Sequence, residues 1–125
     1  MDIIKAICFV GLGGGVGSIM RYLTSVVLNR YVSSEFPWAT FSANFLGCLL
    51  IGLLMGWTDR QQIMSHDLRL LLITGFCGGY TTFSAFSAEN IKLIQAGHTT
   101  TALVYMVTSV MISLAAVWAG MVISK

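Results

Sequence analysis

The stretch Gly75-Phe76-Cys77-Gly78-Gly79-Tyr80-Thr81-Thr82-Phe83-Ser84-Ala85-Phe86-Ser87-Ala88-Glu89 sets four Thr and Ser hydroxyls and a carboxyl inside an otherwise apolar run. Hydroxyls are neutral donors, able to replace water around an anion without trapping it. Phe83 and Phe86 stand three apart, so they share one helix face. The rim of an aromatic ring is electropositive, and two rings turned edge-on can solvate a small anion without a full charge. Thr82, Ser84 and Ser87 beside them favour that use over plain core packing. Thr101, Tyr105, Ser109 and Ser113 recur every four residues and put their hydroxyls on one face. Small hydroxyl residues also pack membrane helices. Four in register over about three turns make a polar track for a dehydrating ion the sharper reading.

Three further polar side chains carry two readings each. Asn44 lies about 9 Å past Trp38 along a helix, where a lone amide must bond something. That partner is either a neighbouring helix or a permeating anion. Arg21 either reaches lipid phosphate or gives a water-filled vestibule a positive potential. Glu89 either pairs with Lys92 three residues on or serves a pore. Catalysis finds no constellation: there is no Ser-His-Asp set and no paired carboxylates, and His66 and His98 fall in connections. Cys8, Cys48 and Cys77 lack disulfide or zinc spacing and read as small packing residues.

These groups need a membrane to hold them. Of 125 residues 56% are hydrophobic and 10% charged, and mean hydropathy is +0.81. A soluble domain carries about 25% charge. Four apolar segments follow, at residues 3–28, 37–57, 68–94 and 99–123. Trp38 and Trp57 bracket the second, about 28 Å apart at 1.5 Å per residue, close to the hydrocarbon thickness. Pro37 suits a first helical turn. The first segment runs past any plausible cleavage point, so it is a membrane helix and not a signal peptide. Its Gly11–Gly17 run lacks nucleotide-loop spacing and fits close packing through Gly11/Gly15 and Gly13/Gly17. In the third segment Gly78-Gly79 and Thr81-Thr82 are poor helix sequence. A break there frees backbone carbonyls, which lipid tolerates only where they are buried or line a cavity or an ion site. The expected fold is therefore all-α: residues 1–125 form one integral membrane domain, a four-helix bundle whose third helix is broken. The net charge of +2 is too small and dispersed for a nucleic-acid partner. Four basic residues fall on one side of the membrane (Lys5, Arg60, Arg69, Lys125) and three on the other (Arg21, Arg30, Lys92), a bias that barely sets orientation.

Over nearly its whole length the chain resembles the Fluc (CrcB-type) fluoride channels. The likeness rests on residues 14–22, on residues 39–48 and above all on the Gly-Gly-x-Thr-Thr-Phe-Ser-x-Phe-Ser core within residues 75–89. Ala39, where the family usually has glycine, is a mild departure. The resemblance implies a multi-pass protein of the plasma (inner) membrane, an antiparallel dual-topology homodimer with two pores that exports fluoride passively and relieves its toxicity. It further implies a structural sodium ion at the dimer centre, held by the backbone carbonyls of Gly78 and Thr81. Phe83 and Phe86 would be the pore rings, Asn44 the pore amide and Arg21 the vestibule arginine. Tyr105, Ser109 and Ser113 would form the polar track, with Thr82, Ser84 and Glu89 as pore-adjacent polar groups. The rival from another class is a small multidrug/proton exporter, which places a buried carboxylate in its first helix; here that helix has only Asp2, at its start.

Overall fold

The computed structural model describes residues 2–61 and 64–125; residues 62 and 63, within the Thr58–Asp67 connection, lie outside the described residues. The chain runs through α1 (Ile3–Tyr31), α2 (Trp38–Gln61), α3 (His66–Arg69), a π-helix (Leu70–Cys77), α4 (Gly78–Tyr80), α5 (Phe83–Gln95) and α6 (Thr99–Ile123). Four stretches are long and apolar enough to cross a membrane: Ile3–Tyr31, Trp38–Arg60, His66–Gln95 and Thr99–Ile123. Each of the first three outruns its expected segment, because helices continue past the apolar run into the interface. The fourth matches. Pro37 stands just before α2 and accepts from Phe41 N at 3.1 Å, so it caps the helix and does not open its first turn.

The spans pack as two tight pairs. α1 lies against the π-helix and α4, and α2 lies against α6. Glycine makes both approaches close enough. A Cβ at Gly13 or Gly17 would run into the backbone of Leu71 or Phe76, and one at Gly79 into Gly14. The expected Gly13/Gly17 pair is thus used within the chain. Gly11 and Gly15 instead face open space. On the other pair, a Cβ at Gly120 would sit 2.6 Å from Leu49 O and 2.7 Å from Leu53 N. Little else is buried: Ala43, Cys77, Ala102 and Tyr105 are almost fully enclosed, whereas Leu114, Met111 and Trp118 point away from the fold. Such an apolar exterior is what a lipid-solvated helix presents.

The third span breaks at Thr81–Thr82, while Gly78 and Gly79 stay helical. Both threonines are extended, with φ/ψ of −85°/155° and −150°/127°. Their side chains repair part of the gap. Thr81 Oγ1 donates to Cys77 O at 2.8 Å, and Thr82 Oγ1 caps α5 by accepting from Ala85 N at 3.2 Å.

Candidate functional site

Where α2, the break and α6 meet, a cavity of about 250 Å³ opens toward the outside of the chain. Asn44 and Cys48 reach it from α2, Thr81 and Thr82 from the break, Phe83 and Phe86 from α5, and Ser109, Val110 and Ser113 from α6. Two phenylalanines flank the opening with ring centroids 5.6 Å apart and planes at 42°. Phe83 is 77% exposed, so its ring forms a rim and not a core contact. Phe86 is half-buried and tilts 60° against Tyr105 at 5.0 Å. Ser109 is buried, and among the described residues its Oγ finds no hydrogen-bond partner.

Asn44 spends its amide on the break. Its Nδ2 donates to Thr82 O at 3.1 Å, and its Oδ1 accepts from Thr82 N at 2.7 Å. In a continuous helix the Thr82 amide would close on Gly78 O, and the Ala85 amide on Thr81 O. Both donors are diverted, to Asn44 and to the Thr82 hydroxyl, and the Gly78 and Thr81 carbonyls are released. Arg21 reaches the same turn: its Nε donates to Gly79 O at 3.2 Å. Arg21 therefore does more than reach toward lipid. Thr24 and Tyr80 add a hydroxyl–hydroxyl bond of 2.8 Å from α1 to α4.

Glu89 lies behind the phenylalanines. Its carboxylate accepts from Thr40 Oγ1 at 2.8 Å and from Tyr105 OH at 2.9 Å. Its bonds go to α2 and α6, not to Lys92 on its own helix. A polar hollow of about 120 Å³ borders it, lined by Ser25, Asn29, Ser34 and Thr40 among others.

The structure thus gathers Asn44, Thr81, Thr82, Phe83, Phe86, Ser109 and Ser113 of the anticipated residues around one cavity. Tyr105, which is buried, and the half-buried Glu89 form a pair adjoining it. Ser84 is exposed and bonds Thr82 Oγ1 at 3.2 Å, outside the cavity lining. The hydroxyl ladder of α6 is not continuous: Thr101 borders a separate surface hollow with Glu35 and Thr100. Thr40 carries no assigned role in the sequence reading, and Cys48, read there as a packing residue, stands on the cavity wall. Asn44 predicts Cys48 by helical spacing, one turn on. The same spacing places Thr40 one turn before Asn44, but its partner Glu89, 49 positions away, leaves no local trace.

The family model described as CrcB-like protein, Camphor Resistance (CrcB), matches residues 8–121. The chain is 52% identical to a fluoride-specific ion channel FluC of Flavobacterium psychrophilum, over 97% of this chain and 98% of the relative. It is 40% identical to proteins of the same name from Azobacteroides pseudotrichonymphae, over 98% of each chain, and from Phocaeicola vulgatus, over 97% of this chain and 99% of the relative.

Proposed function

The chain belongs to the CrcB-like family, and from that premise we propose that it is a fluoride-specific channel, letting the ion leave the cell down its gradient and so limiting its toxicity. The observation that carries this reading is the cavity's lining of amide, hydroxyls and ring rims, with no charged side chain among its described residues. Fluoride is small and holds its water tightly. A succession of neutral donors can replace that shell, while a fixed cation would hold the ion in place. A proton-coupled multidrug exporter would need a buried carboxylate on α1, whose one acidic neighbour is the exposed N-cap Asp2. No catalytic step belongs to this reading.

An antiparallel homodimer in the inner membrane is part of the proposal. One chain forms half a path, since the cavity opens sideways and Phe83 stands at its rim. A second, inverted copy would close it. The released carbonyls of Gly78 and Thr81 support a cation site between the copies, because Gly78 is exposed and has nothing packed over it. Sodium bound there would supply a positive charge that ties the chains together, held by backbone oxygens that lipid leaves unsatisfied. Tyr105 and Glu89 would continue the path, and Arg21 would lend the vestibule its potential.

Efflux from liposomes tests the reading. Purified protein is expected to release fluoride, to exclude chloride, and to ignore a proton gradient. Equal chloride flux, or proton flux driven by a cationic drug, would overturn it.

A further inference from the structure

One lining side chain of the cavity has no task so far. Cys48 lies ten residues into α2, about 15 Å along it, hence near the middle of a hydrocarbon core about 30 Å thick. Its position relative to α6 is fixed by the glycine seam. The two helices cross the membrane in the same direction, with one full span between them. A Cβ at Gly52 would sit 3.0 Å from Val117 Cα, and a Cβ at Gly56 2.9 Å from Met121 Cα. The same register carried back one turn sets Cys48 beside Ser113, and carried back two turns sets Asn44 beside Ser109. All four line the cavity. They form two successive rungs, each with one group from α2 and one from α6.

The second observation comes from the neighbouring rung. Thr58, Thr108 and Ser124 return their hydroxyls to carbonyls of their own helices. Ser109 does not. It is 7% exposed, and its Oγ has no partner among the described residues. A buried hydroxyl left open in a cavity points to something that occupies the cavity.

We infer that the Cys48 thiol is part of the ion's path, an S–H donor set across from Ser113 at mid-membrane, and that it makes the path a binding site for soft metal cations. This rests on the fluoride-channel reading above. A thiol is a neutral, weak donor, so it can pass an anion onward without holding it. It is also a soft ligand. A silver ion reaching it displaces the thiol proton to water and forms an S–Ag bond, leaving a bulky group in the path. Cys77 is 1% exposed and Cys8 lies on the outer face of α1, so neither offers an equivalent thiol to the cavity.

The test uses the full chain in liposomes, in nitrate medium, with fluoride efflux read by electrode. Silver nitrate is expected to abolish efflux from the wild type, and excess dithiothreitol to restore it. Cys48→Ser is expected to keep conducting in silver, whereas Cys8→Ala and Cys77→Ala stay blocked. Without silver, Cys48→Ala is expected to slow efflux by roughly twofold to tenfold, the loss of one weak hydrogen bond. Efflux that silver does not touch, or that it blocks equally in Cys48→Ser, would overturn the assignment while leaving the channel reading intact. Absence of fluoride efflux before any silver is added would remove the channel reading itself, and this inference with it.

Discussion

In the proposed path, Phe83 and Phe86 would offer an anion something that aliphatic side chains cannot. Their rims carry partial positive charge, while isoleucine fills similar space with none. Phe83→Ile and Phe86→Ile are each expected to cut fluoride efflux roughly tenfold or more, with the elution volume of the purified protein unchanged. Wild-type efflux from both variants would return the rings to packing. The same residues show how far side-chain type alone can be read. The donors were recognisable as donors, yet their partners were not. For Asn44, the sequence allows a helix partner or a pore role. The structure gives it the helix partner, through both ends of the amide, and also a place on the cavity wall. Glu89 taught the opposite lesson. Lys92 was the nearest candidate in sequence, but the carboxylate took hydroxyls from α2 and α6.

Helices meet here through glycine, and the glycines are not equivalent. Alanine at Gly17 would bring its Cβ onto Phe76 O and within 2.9 Å of Tyr80 N, backbone atoms that cannot swing aside. Overpacking of this kind costs about 1–3 kcal/mol. Gly11 has nothing within 4 Å, and alanine there should gain up to about 1 kcal/mol of helix propensity. Thermal midpoints in detergent should therefore fall for Gly17→Ala and hold or rise for Gly11→Ala; equal midpoints would refute the seam. Four spans and the break in the third span were legible, because apolar runs and the Gly-Gly-x-Thr-Thr core are local signals. The π-helix at Leu70–Cys77 was not. Leu70-Leu71-Leu72-Ile73 is ordinary helix sequence, and nothing local marks a wider turn. The stretch lies against the glycine groove of α1, where Gly75 would set a Cβ 3.0 Å from Gly13 Cα. Likewise, glycine propensity pointed to Gly78 and Gly79 as part of the break. Close packing against Gly14 keeps Gly79 helical, and the threonines take the extended conformation instead.

At the scale of the whole molecule, the proposed inverted pair requires that identical chains insert both ways. Four basic residues against three impose little preference. Several lysines added to the Thr58–Asp67 connection are expected to fix one orientation and abolish efflux. Co-expression with a chain fixed the other way should restore it. Normal efflux from the single-orientation chain would refute the inverted pair. The clasp between Asn44 and Thr82 also has a consequence for biogenesis. A span with an open break is costly to release into lipid, because its peptide groups have no water to bond. Residue 44 is made before residue 82, so the amide that completes the break already stands in the membrane when the break emerges from the insertion machinery. The third span can then leave against a waiting neighbour. A chain with these two segments in reverse order would have to release the gap unaccompanied.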